Sequence, residues 1–268
     1  MQTKGPLYIP MIPRLYHATP LQGHQIIELN REAHRYLVRV LRLEREAPLL
    51  LFDNQGGEWQ AVLSDPGPPA RITLGAYLPI ERESSLEITL VQGLAKPAAM
   101  EFILQKGVEL GVKRLIPLLC QRGVSKPDLA RQAHRMERWQ RIVIEATEQC
   151  GRTRLLEILP PTPWSHLAPQ LTPSAPRYLF WEQAAQPTSP ASGRYPPLPS
   201  PTQVTLLIGP EGGFTAEEVQ WASKNLCTTI LSLGPRILRT ETAALAAITT
   251  LQAWAGDILF PPETAAPT

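Results

Sequence analysis

Two short stretches near the carboxyl end of the chain hold residue types that could cradle a ligand against bare main chain. The first is Ile208, Gly209, Pro210, Glu211, Gly212, Gly213 and Phe214, and it follows the apolar run Val204 to Ile208. Glycines at 209, 212 and 213 admit left-handed backbone and remove the Cβ layer, so a flat polar molecule can lie against N–H and C=O groups. One glycine would serve a structural turn. Three around a proline, at the C-terminal end of a parallel strand, suit close approach of a ligand, because that edge is where open α/β sheets bind them. The second stretch, Gly234 to Arg239 (GPRILR), follows the strand-like Thr228 to Leu233 and leads through Thr240, Glu241 and Thr242 into the alanine-rich Ala243 to Trp254. Arg236 and Arg239 flank the same edge, and Thr240 is the expected N-cap of the last helix. Glu241 has two readings, an acid–base group or a carboxylate placed in a first helical turn where the helix dipole favours it.

Other ligand chemistries lack their residues. No GxGxxG follows a strand, and neither GxxxxGK[ST] nor GxSxG occurs, so dinucleotide, phosphate-loop and serine-hydrolase signatures are all missing. The five histidines show no paired spacing, and Cys120, Cys150 and Cys227 are too far apart for a metal knuckle or a disulfide framework. The expectation is no metal, with three buried or partly buried thiols in a reducing compartment.

The elements that must carry these loops can be read upstream. In the first eighty residues, Ala47 to Asp53 and Glu58 to Leu63 flank the turn Asn54 to Gly57, and Arg71 to Tyr77 follows a proline-rich break. Hairpin chemistry of this kind predicts a small β-barrel-like domain over residues 1–79. Upstream of the hairpin, AHRYLVRVLRL at 33–43 predicts a short helix on which Arg35, Arg39 and Arg42 share a face, either touching phosphate or simply solvated. From residue 86 the pattern becomes strand–helix–strand: Leu86 to Gly93, Ala98 to Leu110, Lys113 to Leu119, then a long amphipathic helix from Asp128 to Cys150 ending at Gly151. That rhythm predicts an α/β domain with a parallel sheet over residues 86–258. Thr215 with Glu218 three residues on predicts a capping box at the start of a helix. Residues 160–201 hold twelve prolines around one strand-like piece, Tyr178 to Glu182, and the second half of that stretch is expected to be a mobile surface loop.

The net charge of +2 conceals a local imbalance, since residues 96–154 carry twelve Lys and Arg against six Asp and Glu. Such a concentration suits a polyanion, or it covers solvated helix faces paired with Glu101, Glu137, Glu145 and Glu148. With 43% hydrophobic residues the chain can bury a core, and no apolar run nears the roughly 20 residues that cross a bilayer. No secretory signal is apparent, so a soluble cytoplasmic protein is expected.

The segments IGPEGGF (208–214) and SLGPRILRTETAAL (232–245) resemble the SPOUT methyltransferases, specifically the RsmE family, which methylates uracil N3 of a uridine in small-subunit (16S) ribosomal RNA. The likeness extends to HRYLVRVLR at 34–42, LVQGLAK at 90–96, FILQKGVELGVKRLIPL at 102–118 and ERWQRIVIEATEQCGRTR at 137–154. It implies a PUA-like RNA-binding β-barrel followed by an α/β domain whose deep C-terminal trefoil knot binds S-adenosyl-L-methionine. It also implies a homodimer acting on small-subunit ribosomal RNA, within the assembled 30S particle. Ile208, Gly209, Gly213, Leu231, Leu233, Gly234 and Leu238 are then expected to hold the cofactor. Arg239, Thr240, Glu241 and Arg152 are expected near the methyl group and target base, and Arg35, Arg39, Arg42, Lys96, Lys106 and Arg154 on the RNA. The alternative of another class is an RNA-binding ribosome-assembly factor that keeps the fold without catalysis. A nucleotide-dependent oxidoreductase is disfavoured by the missing dinucleotide fingerprint.

Overall fold

The computed structural model describes residues 12–123, 129–184 and 203–258, which form two compact units. Asp128, Lys126 and the latter half of the proline-rich stretch lie outside the described residues. One unit is the amino-terminal part up to Arg82 together with Gly151–Arg154; the other holds Glu83–Cys150 and the chain from Leu155 onward.

The first unit is a curled five-stranded sheet. Its strands are β1 (Arg14–Tyr16), β2 (Ile26–Glu28), β3 (Pro48–Phe52), β4 (Glu58–Asp65) and β5 (Arg71–Leu78), in the order β1-β3-β4-β5-β2. Strands β3, β4 and β5 form an antiparallel meander, and β1 runs parallel to β3. Alternation decides which face is core: Leu49 and Leu51, Ala61 and Leu63, and Ile72 and Leu74 all point into one apolar cluster. Register shifts after Trp59 and after Leu63 curl β4 and β5 around it. The segment predicted as one short helix is instead a single turn, α1 (Arg31–His34), continued by a wider π-helical stretch over Arg35–Val40. There the amide of Leu41 bonds the carbonyl of Tyr36, and Arg42 follows in left-handed backbone with φ +54°. Arg35 and Arg39 therefore share the wide turn, while Arg42 lies beyond its end. In the same unit, Arg14 pairs with the buried Glu58 at 3.0 Å and donates to the carbonyl of Arg152 at 2.8 Å. Arg82 donates to the carbonyl of Gly151 at 2.8 Å. Gly151, with φ +88°, ends the preceding helix and turns the chain into this unit.

The second unit is a parallel sheet covered on both faces. Strand β6 (Glu87–Gly93) leads to α2 (Pro97–Glu109), β7 (Val112–Leu119) and α3 (Leu129–Cys150). After short β8 (Glu157–Ile158) and β9 (Thr162–Pro163) come β10 (Arg177–Phe180), β11 (Gln203–Ile208), α4 (Ala216–Leu226), β12 (Thr229–Leu231) and α5 (Thr240–Ala255). The order is β12-β10-β11-β6-β7-β8, with β9 also on β7, and every pairing is parallel. Successive residues serve opposite cores. Ile88, Leu90, Tyr178, Phe180, Val204, Leu206 and Ile208 pack with α2, α3 and α5, whereas Val91, Leu179 and Leu207 pack with α4. Burial on both faces is why these strands read as unbroken apolar runs. The first half of the proline-rich stretch is ordered here, as short strands and 3₁₀ turns. Among the described residues no helix is long and apolar enough to cross a membrane, and no cluster of His, Cys, Asp or Glu could hold a metal ion.

The strand order carries the topology. From β11 the chain runs through α4 to β12, stepping over β10 to its far side. It then returns toward the sheet centre, so that α5 packs on α2 and β11. The C-terminal ends of β10, β11 and β12 thus converge with the start of α5, the arrangement expected of a knotted α/β domain.

Candidate functional site

A cavity of about 190 Å³ opens at that convergence. The loop after β11 forms one wall (Ile208 to Phe214), the loop after β12 another (Ser232 to Gly234 and Arg236 to Leu238), and Phe180, Trp181 and Glu182 at the end of β10 a third. Thr240 and Ala243 of α5 close the base.

Each wall is held by identifiable bonds. Thr215 and Glu218 form the anticipated capping box, which anchors the start of α4 immediately after the first loop. The same buried Glu218 carboxylate also accepts from the Gln121 amide at 2.8 Å and the Trp164 indole at 3.0 Å, so both of its oxygens serve positioning. Thr240 does not cap its helix. Its hydroxyl donates to the carbonyl of Gly209 at 2.6 Å and accepts from the Gln92 amide at 2.9 Å, leaving Arg239 at the N-cap position without a side-chain bond. Tertiary pairing outcompetes the local cap because it ties three chain segments together at the cavity floor.

The glycines have separate duties. At Gly212 a Cβ would stand 2.8 Å from the Arg122 Cβ and 2.9 Å from its carbonyl oxygen, so this glycine lets protein backbone approach rather than ligand alone. Gly213 has φ +67°, and a Cβ there would meet the Glu182 carboxylate at 2.9 Å. Gly234 has φ +94° and nothing within 4 Å of where a Cβ would be. Its backbone therefore faces open space, a cradle that any side chain would begin to fill.

Of the residues expected to hold a cofactor, Ile208, Gly209, Gly213, Leu233, Gly234 and Leu238 line the cavity, and Leu231 ends β12 beside Phe180 without lining it. Thr240 lines it as well, while Arg239 and Glu241 stand next in chain at the start of α5, exposed and half-buried respectively. Arg152 is not among the residues that line the cavity; it is 4% exposed and grouped with the amino-terminal unit, directly after the left-handed Gly151. Of the expected RNA contacts, Lys96 and Arg154 are exposed, Arg154 lies 3.6 Å from Glu81, and Lys106 pairs with Glu109 at 2.7 Å. Phe180, Trp181 and Glu182 went unanticipated as wall residues. The signal was present, since parallel strands present their C-terminal ends on one edge and YLFWE ends such a strand.

The chain is similar to known proteins along nearly its whole length. The family described as RNA methyltransferase domain matches residues 82–252, and that described as RNA methyltransferase PUA domain matches residues 29–70. Ribosomal RNA small subunit methyltransferase E of Buchnera aphidicola is 32% identical over 92% of this chain and 95% of its own. Two solved structures superpose with TM-scores of 0.82. One is a methyltransferase of Legionella pneumophila with bound SAM, 35% identical over 92% of this chain and 100% of that one. The other is a ribosomal RNA small subunit methyltransferase E of Neisseria gonorrhoeae bound to S-adenosyl methionine, 32% identical over 93% of this chain and 100% of that one. With a PUA domain ahead of a knotted α/β domain and a glycine-walled cavity at the knot, the chain belongs to the ribosomal RNA small subunit methyltransferase E family.

Proposed function

We propose that this protein transfers a methyl group from S-adenosyl-L-methionine to N3 of a uridine in small-subunit ribosomal RNA. The observation that carries the reading is the cavity itself: two loops joined through Thr240 and Gly209, with an unfilled backbone cradle at Gly234, in a chain whose solved relatives bind that cofactor. The residues present fit the group. Ile208, Leu233 and Leu238 offer apolar cover for a flat ring, and main-chain groups of Gly209, Gly213 and Gly234 offer polar contacts without side-chain bulk. When bound, S-adenosylmethionine supplies a methyl group activated by a sulfonium.

What the chain must do is align and discharge. An in-line displacement gains much of its rate from holding the reacting atoms in register, which rigid loops at a sheet edge provide. Uracil N3 carries a proton on the pairing edge, so the base has to leave its pair before reaction. Arg239, exposed at the N-cap position of α5, offsets negative charge that grows on the uracil oxygens. Glu241, half-buried two residues further along, takes the N3 proton directly or through a water.

The reading extends to a homodimer acting on the 30S particle. Its support is the basic excess between residues 96 and 154, although among the described residues at least five of those cations are engaged, Lys106 with Glu109, Lys113 with Glu87, Arg114 with Glu157, Arg138 with Glu101 and Arg154 with Glu81. Exposed pairs of this kind are weak and can be exchanged for phosphate. A monomer in sedimentation would remove the dimer. For the chemistry, Arg239→Ala and Glu241→Ala should each slow single-turnover methylation of 30S particles at least tenfold with cofactor affinity nearly unchanged. Wild-type rates in both variants would show the assignment to be wrong, and absence of 3-methyluridine in the nucleoside digest would overturn the reaction itself.

A further inference from the structure

The carboxylate of Glu182 lies against the glycine loop at the cavity wall, with its two oxygens 2.9 and 3.2 Å from the position a Cβ would take on Gly213. Glu182 stands two residues past the end of β10, the parallel strand directly beside β11, and β11 is the strand that runs into that loop. The other wall carboxylate, Glu211, is engaged, because its Oε1 accepts the Lys96 amide at 2.9 Å.

An acidic residue at the C-terminal end of the strand adjoining a glycine loop is the arrangement by which parallel sheets grip the hydroxyls of a nucleoside ribose. Two carboxylate oxygens match two vicinal O–H donors, and ionised acceptors make the stronger hydrogen bonds. We infer that Glu182 binds the cofactor's ribose diol, accepting hydrogen bonds from its hydroxyls, and so selects a ribonucleoside in this cavity. The inference rests on S-adenosylmethionine being the ligand. It assigns Glu182 to the sugar rather than to the sulfonium, so it makes no distinction between methyl donor and demethylated product.

That distinction supplies the test. Calorimetric titration of the full chain with S-adenosylmethionine and S-adenosylhomocysteine should show both weakened by a similar factor, about 10- to 100-fold, in Glu182→Ala and Glu182→Gln. Melting temperatures near wild type would confirm that the variants fold. The 2′-deoxy and 3′-deoxy forms of S-adenosylhomocysteine should bind the wild type more weakly than the parent, and that penalty should shrink in Glu182→Gln. Unchanged affinities in the variants would overturn the assignment, and a loss confined to the sulfonium ligand would overturn it in favour of a charge contact. If the wild type binds neither parent ligand, the proposed function falls and this inference with it. If it binds both and Glu182 proves indifferent, only this inference falls.

Discussion

Gly93 is the last residue of β6, buried and paired with Leu118 of β7, and the first cavity loop rests on it. A Cβ at this position would stand 2.5 Å from both Cδ and N of Pro210 and 2.9 Å from the carbonyl carbon of Gly209. Ordinary contacts begin near 3.4 Å, so Gly93→Ala requires the loop to withdraw by roughly 1 Å. The opposing atoms are backbone and a proline ring, which cannot rotate aside. Overpacking of this kind costs about 1–3 kcal/mol. At about 2–4 °C per kcal/mol for a chain of this size, the melting midpoint should drop by several degrees. The same displacement carries Gly209 and Pro210 out of the cavity wall, and a misplacement of about 1 Å can reduce a positioned reaction about 100-fold. Gly107→Ala is the matched control. That glycine is also buried, inside α2, but its added methyl would meet Val112 at 3.7 Å and Leu156 at 3.8 Å, which is normal packing. Removing a helical glycine there should stabilise by about 0.5–1 kcal/mol. Differential scanning calorimetry and single-turnover methylation measured on both variants separate the two effects. A Gly93→Ala protein with wild-type melting and wild-type turnover would refute the claim that this contact sets the loop.

Two further perturbations probe the same frame. Thr240→Val keeps the shape but leaves the Gly209 carbonyl with the Gln92 amide alone, at 3.3 Å, and takes from that amide one of its three acceptors, which should cost about 0.5–1.5 kcal/mol in chemical denaturation, whereas Thr240→Ser should stay close to wild type. Equal stability of the two would mean the hydroxyl bonds carry no weight. Burial first, and the nearby Glu218 carboxylate second, push the Cys120 thiol well above its ordinary value, so it stays protonated through neutral and mildly alkaline pH. Thiol reagent at pH 8 should therefore modify the exposed Cys227 promptly and leave Cys120 slow until the protein unfolds, and rapid labelling of Cys120 in a Cys227→Ser variant would contradict this.

Cys227 also illustrates a limit of reading burial from residue type. The sequence reading makes it a buried or partly buried thiol, yet it is exposed, in left-handed backbone with φ +53° at the end of α4. The π-helical stretch at Arg35–Val40 is similar in kind. Its alternating arginines and leucines satisfy a helical pattern, but Leu37 must enter the barrel core and the hydrogen-bond ladder widens to allow it.

Local order in this chain was written in its apolar periods and its turn residues. Strands buried on both faces appear as continuous hydrophobic runs, α4 announces itself through Thr215 and Glu218, and the two glycine-bearing loops stand at strand ends where a ligand can reach main chain. Those signals depend on neighbours a few residues apart, and each can be evaluated without knowing the fold. Which atoms fill the space around them could not be evaluated in that way. The close approach of Arg122 to Gly212 and of Pro210 to Gly93, the use of the Thr240 hydroxyl across a gap of thirty-one positions, and the meeting of Glu182 with Gly213 all arise between distant segments. Long-range juxtaposition is decided when the strand order brings β10, β11, β12 and α5 to one edge, because packing and hydrogen bonding there are settled by three-dimensional distance rather than by position along the chain.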